Sequence, residues 1–324
     1  MNSLFQRTKK IAQKYPFLYC LLKEIKSNGF LLVNKIFHYW LEKRVFYKSL
    51  GYRLNLQNPV SFNEKIIWKK IYDRNPLLPV TADKVKVRSY IKVILKEKQA
   101  KEILIPLLYV TDKPEIIPFK KLPPEFIVKA NHGSGYNIIV KNSHYNKEEI
   151  IKTCRRWLRT PYDREGVEWA YQSIRRKILI EKLLHEDNLN SPIRYNFHMF
   201  HGKCKLIRVV IDGNKKLTVS TYDEKWNFLS VKKQNRPQGN IIPKPKNYDK
   251  MLEIAEKLSN YFDYVRVDLY NLQGKIYFGE LTHYPANGRG VYIPHSFSYK
   301  MGKYWKIERG YWKKFGKKGN KDDK

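Results

Sequence analysis

Helical and strand patterns occupy different parts of this chain, and their separation limits the folds that it can adopt. Up to about residue 99, apolar residues recur at spacings of three and four, the period of a helix with one buried face. From residue 125 onward, short apolar runs bounded by turn residues predict strands, with helical stretches near 147–158 and 165–173 and an amphipathic helix over 248–261. We therefore expect an α+β protein with a helical N-terminal region.

Ser61 marks the start of a predicted helix. Together with Glu64, three residues later, it matches a capping box, in which side chains and backbone N–H groups bond reciprocally at a helix start. The apolar residues that follow predict a helix through Ile71. A second helix is predicted from about Ala82 to Gln99.

The clearest strand signal is a hairpin near the C-terminal end. Tyr264–Tyr270 and Lys275–Leu281 are apolar runs that flank the turn sequence Asn-Leu-Gln-Gly. Asp268 and Glu280 are then about level on adjacent strands and point to one face. Arg266 shares that face because side chains two residues apart on a strand point the same way.

Two neighbouring carboxylates permit two interpretations. They repel each other unless a cation lies between them, and their oxygens are the ligands that Mg²⁺ prefers. Alternatively, Arg266 neutralises Asp268 and Glu280 within a surface ion cluster. These residues alone do not separate a metal site from such a cluster.

A glycine-rich turn links two further predicted strands, Glu125–Ala130 and Asn137–Lys141. Its backbone N–H groups could approach phosphate oxygens closely, and Lys129 at the end of the entering strand would add charge. The turn matches neither a Walker A loop nor a dinucleotide-binding fingerprint. From these residues alone, a tight hairpin beside a surface lysine is the simpler explanation of the turn.

Two other local patterns give less information about function. Ile178-Leu-Ile followed by Glu181 and Lys182 fits a buried strand that ends in solvent. His198 and His201 form an HxxH pattern, but on a strand they would point to opposite faces, which argues against a metal site.

The net positive charge of the chain indicates what kind of partner it binds. Lys and Arg number 64 against 30 Asp and Glu, so the formal net charge is +34. An excess of this size implies an anionic partner: a nucleic acid, an acidic polymer or a membrane leaflet. The three cysteines (Cys20, Cys154 and Cys204) lie far apart, which excludes a disulfide scaffold and a zinc ribbon and fits a reducing cytoplasm.

Residues 1–48 are basic and carry apolar residues at helical spacing. No apolar run among them approaches the roughly 20 residues that a membrane-spanning helix needs. The segment fits either an amphipathic helix in a membrane interface or a helical hairpin packed on its own domain. We expect a cytoplasmic protein with peripheral attachment to the inner face of the cell membrane.

The order of the motifs is more specific than any one of them. Together they closely resemble the TupA-like amidoligases, a branch of the ATP-grasp superfamily associated with teichuronopeptide and other bacterial surface polysaccharides. The resemblance covers about residues 50–300. The matching sequence motifs are NPVSFNEKI, IYDRNP, ADK, KANHGSGYNIIV, PKPKN, VRVDLY and GKIYFGELT.

The resemblance implies an ATP-grasp fold in which the nucleotide lies between two antiparallel-sheet subdomains, preceded by a basic helical N-terminal region. The expected division is a basic amphipathic helical segment, an N-terminal helical or α/β domain, the ATP-grasp nucleotide-binding and catalytic domain, and a disordered basic tail. The predicted boundaries of these four parts are 1–48, 49–124, 125–312 and 313–324.

The resemblance also implies which residues bind ATP. Two lysines hold its phosphates, a glycine-rich lid covers them, and a hinge strand binds adenine. The matching residues are Lys84 and Lys129 for the phosphates, Gly133, Ser134 and Gly135 for the lid, and Glu181, Lys182 and Leu184 for the hinge.

For the metal and the catalysis, the resemblance assigns Asp268 and Glu280 as ligands of Mg²⁺. Arg266 matches the catalytic arginine that stabilises charge as the phosphoryl group leaves ATP. Two positions depart from the usual pattern. Thr282 stands where many ATP-grasp enzymes have Asn, and Asn196 stands where this branch often has Lys.

The same resemblance suggests roles for two further arginines. The ATP contact at Asn196 is either lost or moved to Arg194, two residues earlier on the strand. Arg289 lies in the segment after Thr282 and either binds a substrate carboxylate or caps a loop.

The implied activity is ATP-dependent ligation of a carboxylate to an amine in bacterial cell-surface polysaccharide biosynthesis. A substrate carboxylate attacks the γ-phosphate to give an acylphosphate and ADP, and an amine then displaces phosphate. The expected cofactors are ATP and Mg²⁺. The expected partners are an anionic glycan or lipid-linked glycan precursor with a uronic-acid-type carboxylate, an amino acid or amino sugar, and an anionic membrane surface.

Two rival classes remain. A glycosyltransferase-like enzyme of the same assembly pathway would also need a nucleotide and a metal carboxylate pair, but the sequence has no convincing DxD motif. A nucleic-acid-binding protein is suggested by charge alone. Because no standard motif is present and the lysines are spread along the chain, we expect no specific nucleic acid partner.

Overall fold

The structure is a computed structural model that describes residues 39–160, 162, 168–186, 189–213, 216–234 and 236–316. Most of the basic segment predicted over 1–48, and the end of the basic tail predicted over 313–324, lie outside the described residues.

The helices of the described part include five long ones of 11 to 17 residues and several short ones. In chain order they are α1 (Trp40–Leu50), α2 (Phe62–Tyr72), α3 (Leu77–Ala82), α4 (Val87–Ile103), α5 (Lys147–Arg159), α6 (Trp169–Gln172), α7 (Tyr248–Ser259), α8 (Ser296–Lys303) and α9 (Lys313–Gly316).

The strands all pair in antiparallel fashion. In chain order they are β1 (Leu107–Thr111), β2 (Phe126–Ala130), β3 (Asn137–Val140), β4 (Ile178–Lys182), β5 (Arg194–Phe200), β6 (Lys203–Asp212), β7 (Leu217–Tyr222), β8 (Phe228–Leu229), β9 (Lys232–Lys233), β10 (Tyr264–Leu272), β11 (Lys275–Thr282) and β12 (Tyr292–Ile293).

The chain folds as two compact units, and it passes between them more than once. Among the described residues, the first unit consists of 39–45, 83–85 and 106–183. The second unit consists of 46–82, 86–105 and 184–316. The four-part division that the sequence suggested stays a prediction.

The first unit is built on a four-stranded sheet in the order β1-β4-β2-β3. Its core includes alternate residues of β2 and β4, such as Val128 and Ile180. Helix α5 contributes Ile150, Cys154 and Trp157 to that core, at the spacing that places residues on one face of a helix. The apolar face of this amphipathic helix therefore packs into the core of the first unit.

The second unit is built on a six-stranded sheet in the order β11-β10-β5-β6-β7-β8. On one face of this sheet, Phe197 packs against Tyr248 of α7 and is paired in register with Val267. Because side chains alternate along a strand, Arg266 and Asp268 lie on the opposite face. The sheet thus has an apolar face that packs on a helix and a polar face.

The capping box at the start of α2 is confirmed. The Ser61 hydroxyl accepts from the backbone N–H of Glu64 at 3.2 Å, and the Glu64 carboxylate accepts from the N–H of Ser61 at 2.8 Å. The start predicted for the next helix, at Ala82, is wrong, because α4 begins at Val87. The Asp83 carboxylate holds a turn there by accepting from the N–H of Val85 at 2.8 Å.

A fully buried lysine anchors α2 within the second unit. The ammonium of Lys69 donates to Asp73 at 2.6 Å and to Asp263 at 2.8 Å. Burial acts to lower the pKa of Lys69, but the two carboxylates outweigh it and raise the pKa. Trp305 donates its indole N–H to the other oxygen of Asp263 at 2.9 Å, so each charge is satisfied.

His283 is another fully buried titratable group of this unit, and its Nε2 lies 2.8 Å from the Thr81 hydroxyl. Burial, assisted by the charge of Lys69, lowers the pKa of His283 well below its ordinary value. The unfolded chain therefore binds a proton at this residue at pH values where the folded protein does not. The stability that the neutral imidazole contributes is lost as the pH falls through about 6.5.

We predict that His283→Gln reduces the acid sensitivity of the fold, because an amide does not titrate. Between pH 7.5 and 5.5, the wild type should lose about 1.4 kcal/mol more of its free energy of unfolding than the variant. Urea unfolding at both pH values measures this difference. His144→Gln, which replaces an exposed histidine, is the control. Equal losses in the wild type and His283→Gln would contradict the prediction.

Candidate active site

The predicted hairpin is present, and its two carboxylates lie directly opposite each other. Strands β10 and β11 are joined by Gln273 and Gly274, which both have positive φ, as tight hairpin turns require. Asp268 is paired in register with Glu280. The prediction that the two residues are level and share a face is therefore confirmed.

A β-bulge at Gly279 brings this pair together. Leu269 is paired with Phe278 but Asp268 with Glu280, so Gly279 is an extra residue in β11. Without the bulge, Glu280 would pair with Val267 and its side chain would point to the opposite face. A Cβ atom on Gly279 would lie 3.0 Å from the carbonyl oxygen of Asp268, so a side chain there would require the neighbouring backbone to shift.

Arg266 ties the carboxylates into one cluster. Its guanidinium donates to both oxygens of Asp268, at 2.6 and 2.5 Å, to Glu280 at 3.3 Å and to the Thr282 hydroxyl at 3.0 Å. Thr282 in turn donates to Glu280 at 3.0 Å. The residue that replaces the more usual Asn is thus part of the cluster.

Arg266 does pair with both carboxylates, as the ion-cluster interpretation expected, but Asp268 and Arg266 are buried rather than on the surface. The Asp268 side chain is 0% exposed and that of Arg266 14%, while Glu280 is 40% exposed. Burial raises the pKa of Asp268 above its ordinary value, and Arg266 opposes this change only in part. Burial would lower the pKa of Arg266, but the Asp268 carboxylate raises it.

The donor atoms beside Asp268 fit a magnesium ion. Asn196 of β5 lies across from Asp268, and its side-chain oxygen is buried and has no hydrogen-bond partner among the described residues. Two carboxylates and a free amide oxygen form the hard oxygen set that Mg²⁺ takes when phosphates supply its remaining ligands. The described residues contain no group of three or more His, Cys, Asp or Glu suited to a metal ion.

In the first unit, two predicted nucleotide-binding residues pair with each other. The ammonium of Lys129 donates to the Glu181 carboxylate at 2.8 Å, and both side chains are largely buried. They come from adjacent strands, β2 and β4, where Ile127 is the register partner of Glu181. Lys182 is exposed at the end of β4, and Leu184 follows that end.

The glycine-rich turn after β2 is held by Lys84. Its ammonium donates to the carbonyl of Gly133, and its backbone N–H donates to that of Asn131 at 3.1 Å. Gly133 and Gly135 have φ of 84° and 78°, and a Cβ atom on Gly133 would overlap the ring of Tyr162. Glycine is therefore favoured at both positions by the positive φ, and at Gly133 also because a side chain would clash with Tyr162.

This turn presents backbone donors. Among the described residues, the N–H groups of Gly133, Ser134 and Gly135 donate to no backbone carbonyl. Ser134 and Gly135 are exposed, whereas His132 is buried. Burial lowers the pKa of His132 to about 4, and Arg176 and Lys84 act in the same direction. His132 is therefore neutral near pH 7, and the positive charge that contacts this turn is that of Lys84.

Other predicted residues lie elsewhere on the second unit. His198 is on β5 and fully buried, whereas His201 lies in the turn after that strand. Arg194 is on the same face of β5 as Asn196, and its Nε atom is buried without a hydrogen-bond partner among the described residues. Arg289 follows the 3₁₀ turn Pro285–Gly288.

Two cations next to this cluster, Arg208 of β6 and Lys233 of β9, were not predicted from the sequence. Arg208 is paired in register with Asn196, and only 7% of it is exposed. The one signal in the sequence was a charged residue inside the apolar run Leu206–Val210. Lys233 gave none, because nothing in the sequence places the two-residue strand β9.

The model of the TupA-like ATP-grasp family matches residues 64–306. The chain therefore belongs to the TupA-like ATP-grasp family, and the resemblance inferred from the motifs and the expected ATP-grasp fold class are confirmed. Members of the ATP-grasp family are ATP-dependent ligases. A search of curated proteins found no similar sequence at the significance applied.

Solved structures give distant matches. A D-alanine–D-alanine ligase from Bacillus anthracis is 19% identical with a TM-score of 0.37, and the alignment covers 63% of this chain and 57% of that one. A phosphoribosylamine–glycine ligase from Thermotoga maritima is 13% identical with a TM-score of 0.37, covering 72% and 58%. At such scores the likeness supports no conclusion, and the fold assignment rests on the family match.

We predict that Gly279→Ala strains the bulge, because the added Cβ would lie 3.0 Å from a backbone oxygen. Overpacking of this kind costs about 1–3 kcal/mol of the free energy of unfolding. The control is Gly213→Ala, whose Cβ would meet its nearest atom at an ordinary 3.5 Å. Urea unfolding compares the two, and a Gly279→Ala protein as stable as the control would show that the bulge tolerates a side chain.

Proposed function

We propose that this protein is an ADP-forming carboxylate–amine ligase that uses ATP and Mg²⁺ and acts in bacterial cell-surface polysaccharide biosynthesis. The observation that carries the proposal is the buried Arg266–Asp268 pair with Glu280 opposite Asp268 on the same face. Membership of the ATP-grasp family supports a ligase rather than a glycosyltransferase.

Within the second unit, Asp268 and Glu280 would hold the metal ion, with the Asn196 oxygen beside them. Mg²⁺, when bound, would neutralise charge on the phosphate oxygens of ATP. Arg266 would stabilise the negative charge that develops as the γ-phosphoryl group is transferred to the substrate carboxylate. The Thr282 hydroxyl keeps Glu280 and Arg266 in one hydrogen-bonded arrangement.

Within the first unit, Lys84 and Lys129 would contact the phosphates, and the N–H groups of Gly133, Ser134 and Gly135 would cap them. The buried ion pair of Lys129 with Glu181 keeps both charges in place until ATP arrives. Backbone donors and lysines of this kind bind phosphates on a glycine-rich turn.

The substrates we propose are a uronic-acid-type carboxylate on an anionic glycan or lipid-linked precursor, and an amino acid or amino sugar. The net charge of +34 supports an acidic substrate, because such a field concentrates anions at the protein surface. The amine would attack the acylphosphate carbonyl, form the amide and release phosphate.

We predict that Mg²⁺–ATP raises the melting temperature of the wild type and not that of Asp268→Asn. Saturation at a hundredfold excess over the dissociation constant stabilises a protein by about 2.7 kcal/mol. The Asn side chain keeps the shape of Asp268 but loses the charge that holds the metal ion. A thermal shift assay with ATP, with and without Mg²⁺, measures the effect.

The control for this assay is Asp249→Asn, which removes an exposed carboxylate of α7 and should respond like the wild type. UDP-glucose should produce no shift. A wild type that responds to UDP-glucose and not to ATP would contradict the ligase and favour the glycosyltransferase.

We also propose a cytoplasmic location with residues 1–48 on the anionic inner face of the membrane. No helix among the described residues is long and apolar enough to cross a bilayer. The support for surface contact is the pattern of basic and apolar residues in the segment.

We predict that deletion of residues 1–38, which precede α1, abolishes sedimentation with vesicles that contain phosphatidylserine. Binding should also fall with salt, because the attraction is electrostatic. Deletion of the basic tail 317–324 is the control and should leave binding intact. Unchanged sedimentation after the N-terminal deletion would refute the attachment.

A further inference from the structure

The polar face of the six-stranded sheet carries cations beyond Arg266. Across the strands, Asp268 is paired with Asn196 and Asn196 with Arg208, so the three side chains form a row on one face. The Arg208 guanidinium is therefore built into the sheet rather than into a surface loop, and Arg208 is only 7% exposed.

Lys233 reaches the same region from β9. This strand pairs with β12, where Tyr292 is the partner of Lys233. A Cβ atom on Gly290 would lie 2.6 Å from Cε and 3.0 Å from Nζ of Lys233, so the end of the lysine lies on the bare backbone of Gly290. Burial lowers the pKa of Lys233 to about 7, and the charges of Arg208, Arg266 and Arg236 add to this effect.

Among the described residues, neither Arg208 nor Lys233 makes a side-chain hydrogen bond or an ion pair. The Asp268 carboxylate acts on Arg208 only through its charge, without a hydrogen bond between them. Both oxygens of Asp268 are already taken by Arg266. A buried guanidinium and a half-buried ammonium without hydrogen bonds are costly to a fold, so an arrangement of this kind is expected where an anion binds.

A buried histidine of the same face supports this assignment. His198 is 1% exposed, and its Nε2 has no hydrogen-bond partner among the described residues, while Nδ1 lies 2.9 Å from the Tyr264 hydroxyl. The unpartnered Nε2 is therefore a further buried polar atom on the face that carries Asn196 and Arg208.

We propose that Arg208 and Lys233 form a subsite that binds one oxyanion of the substrate, a carboxylate or a phosphate, beside Arg266. A guanidinium matches the two oxygens of such a group, and an ammonium adds a point charge. The small number and deep position of these cations suit a single acidic group, whereas a long polymer would need an exposed stripe of charges. The inference rests on the proposed ligase only in assigning the oxyanion to its substrate.

The test compares Arg208→Gln/Lys233→Gln with Lys203→Gln/Lys232→Gln. The control pair removes the same charge from exposed positions on the same two strands, β6 and β9. Each full-length protein is saturated with Mg²⁺–ADP, and its melting temperature is followed during titration with D-galacturonate, inorganic phosphate or uncharged D-galactose. The same titrations are repeated without nucleotide.

We expect galacturonate or phosphate, but not galactose, to raise the melting temperature of the wild type and of the control pair. The apparent affinity for that anion should fall at least tenfold in Arg208→Gln/Lys233→Gln. Whether galacturonate or phosphate acts identifies the oxyanion as a carboxylate or a phosphate. The free double variant should melt no lower than the wild type, because a buried guanidinium and a half-buried amine, neither of them hydrogen-bonded, have been removed.

Several outcomes would overturn the subsite. These are no response of the wild type to either anion, equal responses in the two double variants, or a free double variant that melts well below the wild type. Loss of the Mg²⁺–ADP shift in Arg208→Gln/Lys233→Gln would assign the cations to the nucleotide and would also overturn it. A wild type that binds the oxyanion but never Mg²⁺–ADP would support the subsite and refute the proposed ligase.

Discussion

The carboxylate of Asp268 is fully buried, and the polar face of the second unit is arranged around it. A charge in that position needs a partner, and Arg266 supplies one to both of its oxygens. The bulge at Gly279 then turns Glu280 toward the same face, and Thr282 closes the hydrogen bonds. The cluster therefore depends on one residue without a side chain as much as on the charges themselves.

The two faces of the six-stranded sheet have different roles: one stabilises the fold, and the other carries the charged residues of the candidate site. One face buries residues such as Phe197 and Val267, with α7 packed on it, and supplies hydrophobic stabilisation. The other face holds charges that would be costly in an ordinary core. The rigid strands keep Asp268, Asn196 and Arg208 at fixed spacing, which is what a site for a metal ion and oxyanions requires.

Much of this was accessible from the sequence, for physical reasons that differ between elements. The capping box at Ser61 and the hairpin after Tyr264 depend on neighbouring residues, so local patterns predicted both. The start of α4 was misplaced because the side chain of Asn131, far along the chain, donates to Asp83 at 2.9 Å and helps to hold the turn before the helix. Arg208 and Lys233 were missed because strand pairing alone makes them part of the site.

By itself, the sequence determined the family, the α+β class and the residue types of the cluster, since motif order and local periodicity depend only on neighbours along the chain. Tertiary structure alone decided that Asp268 and Arg266 form a buried ion pair, because burial depends on what packs around Asp268. It also decided the register at Gly279 and the approach of Lys233 to Gly290. Those are contacts between separate strands, and no local pattern encodes the spacing that they require.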